Sequence, residues 1–570
     1  MLAKIFNEIG LLLELKGENI FKAGAYYNAA RTVENLEEDL EILIEQERLR
    51  EVPGFGEAIS SKIIEWKKTG SIEYYEDLKN STPPGLVELL RIPGLGPKKV
   101  NQLYNALGIT SLEMLEKACL ENRIISVPGF GLKTQEKICA GIQFIKEHRG
   151  LFLWAEAHEL AKKLQQDLLK SSAVLRVEIA GSLRRCNEVV KDIDLVAAST
   201  EPRVVMDYFI DMPVVAEVIS SGKTKTSVLL STGNQVDLRV VKPEEFPHAL
   251  QHFTGSKEHN TALRHWAKKL GFKLNEYGLF KGEEVIYCQN EAEIYQYLGL
   301  SFIPPELRED LGEIERARED SLPSLVEPED LQGVLHLHTN YSDGVNTLEE
   351  LVVAAIAEGY HYLGITDHSQ TAVYARGLTR ERVFQQWEEI DRLNQKYDKF
   401  KIFKGIEADI LPTGDLDYDP EFLKGFDFVI GSIHSQFRMG KAEMTARILK
   451  AMDNPALTIL GHPTGRILLE RSGYDLDLDA IITKTAEKKI VLEFNANPYR
   501  LDLDWRWCRR AKEQGVLIAI NPDAHSIGEL NLAKCGLLVA RKGWLEQKDI
   551  LNTRDAREIE EVFKMKGYER

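Results

Sequence analysis

At 570 residues, 44% hydrophobic and 28% charged, the chain has the composition of a globular protein rather than a disordered or fibrous one, and about 100–200 residues per domain implies roughly three to five domains. A formal net charge of −17 runs against a purely electrostatic nucleic-acid binder, because Lys and Arg neutralising phosphates supply most nonspecific affinity; it leaves open a protein whose acids sit in metal sites and whose helix N-termini hold phosphate. The six cysteines, Cys119, Cys139, Cys186, Cys288, Cys508 and Cys535, form no C-x-x-C pair, which argues against a disulfide framework or a thiolate zinc site and fits a reducing cytosol.

Met1 leads into an amphipathic helix carrying acidic residues rather than a basic segment and an apolar core, and no run approaches the ~18 apolar residues of a spanning helix. The expectation is a cytoplasmic monomer without a membrane partner. A short motif then recurs as Val52-Pro53-Gly54-Phe55-Gly56, Ile92-Pro93-Gly94-Leu95-Gly96 and Val127-Pro128-Gly129-Phe130-Gly131, each copy followed by an amphipathic helical stretch. The glycine pairs Gly54 and Gly56, Gly94 and Gly96, and Gly129 and Gly131 permit tight turning and close backbone approach, and the next helix then directs its first N–H groups outward at an anion. One G-x-G is no more than a turn between helices, but three copies with matching flanks resemble the helix-hairpin-helix element, which grips DNA backbone without reading sequence.

Between Ala173 and Val241 the pattern changes to short β-branched runs at residues 174–179, 193–196 and 236–241, which predict a mixed sheet. Asp192 and Asp194 are separated by one residue in a strand, so both carboxylates share a face while Ile193 and Leu195 take the other. Asp237 lies in a second apolar strand. Three carboxylates converging on a sheet face can hold two hard divalent cations, Mg²⁺ or Mn²⁺, as two-metal nucleotidyl transfer requires. Upstream stands Gly181-Ser182-Leu183-Arg184-Arg185, a glycine-led turn with a hydroxyl and two guanidiniums suited to a triphosphate; downstream stand Phe253-Thr254-Gly255-Ser256, Asn260, Arg264 and Asn275-Glu276-Tyr277.

In the order and identity of these motifs, residues 1–318 resemble the family X DNA polymerases, of which polymerase beta is the familiar member. The resemblance implies that Asp192, Asp194 and Asp237 are the metal-binding carboxylates, with Asp237 also helping to activate the primer 3′-hydroxyl. It makes Ser182 and Arg185 triphosphate contacts, places Phe253 and Gly255 beside the sugar, and assigns Asn260 to the incoming nucleotide and Arg264 to the template strand. Lys62 falls where the polymerase beta type carries a Schiff-base lysine that removes a 5′-deoxyribose phosphate; a lysine there also serves as a DNA-backbone contact. Two positions depart from the family: His252-Phe253 replaces a Tyr-Phe pair, and Val190-Lys191 replaces the Ser-Gly before the first catalytic Asp.

A charged stretch containing Pro and Ser from Glu315 to Glu329 reads as a linker. Beyond it, seven apolar runs at residues 333–337, 362–366, 402–406, 428–432, 457–461, 490–494 and 516–520 alternate with helical segments, predicting a closed or nearly closed β/α barrel. Six of the chain's 13 histidines fall in short motifs here, most of them at C-terminal ends of predicted strands, where barrel enzymes place their chemistry. His336, His338, Asp343, His368, Glu407, His434, His462, Asp523 and His525 resemble the full ligand set of the polymerase and histidinol phosphatase (PHP) domain. That resemblance implies up to three ions, Mn²⁺, Zn²⁺ or Fe²⁺. His336, His338, Glu407 and Asp523 would hold one, Glu407 bridging to a second with His434 and His462, and Asp343, His368 and His525 a third. Arg376 stands nearby as a possible phosphate contact.

The expected plan is therefore multidomain: an N-terminal lyase-like helical domain with the first hairpin (1–80), a fingers-like helix-hairpin-helix region (81–150), an α+β nucleotidyltransferase palm (151–245), a thumb (246–318), a linker (319–332) and a seven-stranded PHP barrel (333–570). Substrates implied are gapped or primed DNA and dNTPs. Two other readings compete: a DNA-end-binding nuclease whose polymerase half is silent, and a small-molecule phosphatase fused to a DNA-binding arm, which leaves the palm and thumb motifs unexplained.

Overall fold

The computed structural model describes residues 2–34, 36, 40–90, 92 and 94–564, so that Pro93 of the second hairpin motif lies outside the described residues. The chain divides into two compact units, Met1–Arg149 and Gly150–Arg570.

The first unit is helical. Its three hairpins share one construction: the residue between the two glycines is buried (Phe55, Leu95, Phe130), and its N–H closes the turn onto the carbonyl of Val52, Ile92 or Val127 at 3.0 Å in each case. The first glycines, Gly54, Gly94 and Gly129, have φ of 95°, 87° and 84°, a left-handed backbone that a side chain would strain. The second glycines, Gly56, Gly96 and Gly131, are extended N-caps of the helices Glu57–Thr69, Pro97–Leu107 and Leu132–His148, and none is closed by a side chain.

The second unit opens with a five-stranded mixed sheet. Its strands are β1 (Arg176–Ile179), β2 (Asp192–Ala198), β3 (Val215–Ser221), β4 (Lys225–Leu230) and β5 (Gln235–Val241), in the order β1-β2-β5-β4-β3. Only the β2–β5 pair is parallel. The centre of the sheet is buried through Ile193, Leu195, Val236 and Leu238. The strands β3 and β4 were not expected: β3 is an edge strand exposed along most of its length, so it lacks the alternation that marks a half-buried strand. Helices Phe246–Thr254 and Lys257–Lys269, a three-stranded antiparallel sheet and helix Glu291–Tyr297 follow.

Seven parallel strands then pair in sequence order: β6 (Gly333–Val334), β7 (Tyr362–Ile365), β8 (Lys401–Asp409), β9 (Phe428–Ser432), β10 (Leu457–Leu460), β11 (Val491–Asn495) and β12 (Ile518–Asn521). The two edges meet through a parallel bridge between Leu337 and Ala524, with the His338 N–H donating to the Ala524 carbonyl at 2.9 Å. The barrel is thus nearly closed. Its interior is filled by Leu335, Tyr362, Phe403, Phe428, Ile430, Ile459 and Val491, against which Ile559 and Phe563 of the last helix, Ala556–Lys564, pack. The apolar filling leaves the mouth at the C-terminal strand ends as the place for polar side chains. Residues 319–332, read as a linker, lie along this unit: Val326 is fully buried, and its N–H donates to the Leu545 carbonyl at 3.0 Å. Among the described residues no helix is long and apolar enough to cross a membrane.

Candidate active sites

In the palm, the parallel register sets Asp194 directly beside Asp237 and Asp192 beside Gln235, so the three carboxylates occupy one face of the sheet. Burial, together with the neighbouring charges of Asp192 and Asp237, pushes Asp194 up to about 7, and burial followed by Asp237 raises Asp192. Asp237 moves the other way. Its burial is outweighed by hydrogen bonds from Lys225, Ser227 and Gln235, and Lys225 Nζ lies 2.5 Å from its carboxylate. Three acids on one face, with one ammonium held against them, make a negative patch that attracts cations. Lys225 was missed because nothing local in a strand start marks which cross-strand acid a lysine faces.

The turn Gly181–Arg184 is one short helical turn that meets this face. Gly181 has φ +63° and a Cβ there would run into Asp194 Oδ2. We expect Gly181→Ala to lower nucleotide insertion by about 100-fold or more, since displacing a reacting group by ~1 Å costs that much, while 3′-end removal persists; paired gap-filling and exonuclease assays check it. Ser182 follows, half-buried. Arg185 is close enough to depress Asp194; its Nε donates to Glu309 at 3.1 Å and its Nη1 to the Thr254 carbonyl at 2.5 Å, next to Gly255. Arg184, by contrast, is spent on structure, bonded to Thr254 Oγ1 at 2.6 Å and to both oxygens of Glu291. Asn260 accepts from Gln251 at 2.8 Å and donates to the His252 carbonyl at 2.7 Å. Arg264 is exposed and returns a bond to the Asn260 carbonyl. The Phe253 ring is covered by the Arg239 guanidinium at 4.4 Å and meets His252 edge-on.

In the helical unit, an added Cβ at Gly56, Gly96 or Gly131 meets no atom within 4 Å, leaving their helix N-termini open to close approach. Lys62 lies over the Tyr74 ring at 4.8 Å and near Tyr26 at 6.0 Å. Burial, assisted by the like charge of Lys22, lowers its pKa against an opposing pull from Glu65.

At the barrel mouth all nine expected residues converge. Glu407 is at the centre: its carboxylate lies 3.4 Å from His336, 3.6 Å from His338, 2.9 Å from His368, 3.3 Å from His434 and 3.0 Å from His462. Asp523 reaches His338 at 3.2 Å and His336 at 3.5 Å, and Asp343 faces His338, His368 and His525 at 3.5–3.9 Å. Ligand atoms gather within 4.8 Å in the groups His338, Asp343, His368 and His525; His336, His338 and Glu407; and His368, Glu407 and His434. His338 and His368 therefore each fall in two groups, where the implied ligand set gave each to one ion. Burial alone would raise Glu407, yet His434, His368 and His336 hold it well below the carboxylate range. His338 is driven down to about 3 by burial and by His525 and His368. The buried atoms His336 Nε2, His338 Nδ1, His338 Nε2 and Glu407 Oε2 make no hydrogen bond, a cost that a bound cation removes. The donor set of imidazoles and carboxylates fits hard or borderline divalent ions.

The supporting residues escaped sequence reading. Glu493 accepts from His336 Nδ1 at 2.7 Å, from Asn521 at 3.0 Å and from the His462 N–H at 2.6 Å. Asp409 pairs with His434 Nδ1 at 2.5 Å, and Asn495 donates to Asp523 at 3.0 Å. Such partners fix which imidazole nitrogen is free for a metal. The available signal was a lone acid or amide within an apolar strand, as in Leu492-Glu493-Phe494. Arg500 was also missed; its Nε lies 3.8 Å from Asp523, whereas Arg376 is exposed on the loop after β7.

A carboxylate palm with its thumb, followed by a parallel barrel ringed by imidazoles, defines a nucleotidyltransferase joined to a metal-dependent phosphoesterase. The known relatives divide in the same way. Residues 249–309 match the DNA polymerase beta thumb, 335–497 the PHP domain, 1–72 a helix-hairpin-helix domain and 86–143 a SAM-like helix-hairpin-helix tandem. The chain is 40% identical over 565 residues to the DNA polymerase/3′-5′ exonuclease PolX of Bacillus subtilis (strain 168), covering 98% of each, and it belongs to that family of DNA polymerase/3′-5′ exonucleases. Proteins described as probable phosphatases, from Clostridium acetobutylicum (29% over 246 residues) and Thermoanaerobacter sp. strain X514 (27% over 242), match 41% and 40% of this chain and 94% of their own length. Both chemistries of this family depend on divalent cations.

Proposed function

We propose that the chain fills short gaps in DNA from a template and trims 3′ ends at the barrel, both in the service of base-excision or strand-break repair. What supports this reading is the coexistence, within Gly150–Arg570, of three carboxylates on one face of the palm sheet and nine imidazole and carboxylate side chains gathered at the barrel mouth. Asp192, Asp194 and Asp237 would hold two Mg²⁺ or Mn²⁺ ions, which supply Lewis-acid stabilisation of the charge on the transferring phosphoryl group. Ser182 and Arg185 bind the triphosphate, Phe253 and Gly255 border the sugar, Asn260 contacts the incoming nucleotide and Arg264 the template. The hairpin glycines Gly54, Gly56, Gly94, Gly96, Gly129 and Gly131 let DNA phosphates approach the helix N-termini.

The barrel residues would hold up to three Mn²⁺, Zn²⁺ or Fe²⁺ ions, which lower the pKa of bound water. Glu493 and Asp409 keep His336 and His434 in the tautomer that presents Nε2 inward. A one-nucleotide gap with a 5′-phosphate, assayed with Mg²⁺ and Mn²⁺ in turn, tests the whole reading: insertion and 3′-end removal by one preparation are expected, and removal without insertion would favour the nuclease with a silent polymerase half.

Lys62 is proposed as the nucleophile of a 5′-deoxyribose phosphate lyase, because a partly buried amine beside Lys22 is more easily deprotonated than a free one. Borohydride should trap the protein on DNA bearing a 5′-deoxyribose phosphate, and Lys62→Ala should lose most of the adduct. Undiminished trapping in Lys62→Ala would move the nucleophile elsewhere.

A further inference from the structure

Lys542 stands in the turn Arg541–Gly543 at the end of the barrel helix Leu532–Ala540, far in sequence from the palm, and is 1% exposed. An ammonium has three protons to donate. The Lys542 ammonium lies 2.6 Å from Glu309 Oε1, 2.8 Å from the carbonyl oxygen of Arg185 and 3.5 Å from that of Glu306, with the Trp505 ring 4.8 Å away. Glu309 Oε1 is also the oxygen that accepts from Arg185 Nε at 3.1 Å. The barrel lysine thus grips Arg185 twice, by its main chain directly and by its guanidinium through Glu309. The palm segment just after Arg185 rests on the barrel as well: Glu188 pairs with Arg506 at 2.9 Å and accepts from the Trp505 indole at 3.0 Å.

We propose that Lys542 is a positioning residue for nucleotide addition, fixing Glu309 and, through it, the triphosphate-binding Arg185. This rests on the assignment of Arg185 to the triphosphate. Burying an ammonium is costly, and an apolar side chain would fill the same space at lower cost; what the apolar chain cannot do is hold Glu309 and the Arg185 carbonyl in one geometry. With Lys542 removed, Glu309 is held by Arg185 itself rather than by the barrel, the pair can shift together, and Arg185 meets the triphosphate from a wider range of positions. The penalty falls on nucleotide binding rather than on the chemical step. The barrel then does more for the polymerase than follow it in the chain: it supplies part of the frame of the nucleotide site.

The test is steady-state filling of a one-nucleotide gap by the full chain, with dTTP opposite adenine. Lys542→Met should raise the dNTP KM by about 10-fold with kcat within about threefold, the size expected for losing one charge-assisted bond. Its 3′-exonuclease activity should be unchanged, which reports an intact barrel. Lys542→Arg should restore most of the affinity. Arg185→Ala should itself raise the KM, and Lys542→Met added to Arg185→Ala should raise it little further, because both act through one contact. If Arg185→Ala raises the KM and Lys542→Met does not, the positioning role is wrong and the triphosphate assignment stands; if Arg185→Ala leaves the KM unchanged, that assignment fails and the inference with it. Should Lys542→Met lose exonuclease activity through misfolding, Glu309→Gln decides: a raised KM with intact exonuclease supports the role, and an unchanged KM overturns it.

Discussion

Glu407→Ala is expected to abolish 3′-end removal, a loss of roughly three orders of magnitude, equivalent to several kcal/mol of transition-state stabilisation, while gap filling continues near its original rate. Among the described residues Glu407 is the one carboxylate within 3.6 Å of five imidazoles, and it is buried to 1% exposure. Its removal takes ligand charge from every ion bound around it. His525 sits at the edge, with a side chain 36% exposed, so His525→Ala should shed less metal. Metal analysis of both purified variants, beside extension and exonuclease assays, decides the matter. A Glu407→Ala protein that kept its metal and its exonuclease would disprove the bridging role.

Asp194→Ala should produce the reverse pattern, with nucleotide insertion lost by about three orders of magnitude or more and exonuclease retained. Asp194 is the central member of the trio, paired across the parallel register with Asp237 and two residues from Asp192, and the backbone of Gly181 packs against its carboxylate. Without it two cations would share two acids, one of them already bonded to Lys225. The fold should persist, because the apolar face of the strand, Ile193 and Leu195, is untouched. Full primer extension by Asp194→Ala would remove the palm from the mechanism. The two variants together also test independence of the sites, since the palm trio and the nine residues of the barrel mouth share no member.

Much of this was legible in the chain because the relevant spacing is local. Asp192 and Asp194 share a face by the two-residue period of a strand, which no tertiary contact needs to supply. The residues of the barrel mouth were visible because six histidines fall in five short motifs near the ends of apolar runs, and strand ends are where a parallel barrel exposes side chains. The hairpin glycines were visible by repetition. Strand β3 was not, since an exposed edge strand has no buried face to impose alternation, nor was its neighbour β4, buried at four of six positions without strict alternation. Val326 looked like linker because the short pair Leu325-Val326, set between Ser, Pro and charged residues, carries no period, yet Val326 is fully buried beside Leu545.

By itself the sequence determined the class of chemistry at each site: which acids share a face of the palm, which imidazoles close the barrel strands, and where the backbone must be glycine. Those properties follow from neighbours within a few residues. Tertiary structure alone decided the partners: Glu493 on His336 across 157 residues, Lys225 on Asp237, and Lys542 on Arg185 across 357 residues. A lysine in Arg541-Lys542-Gly543 has the composition of a surface turn, and only the packing of the barrel against the palm buries it. The reason is physical: a charge reveals its role through the field and the hydrogen bonds of whatever is folded against it, and those groups are chosen by the whole fold, not by the local segment.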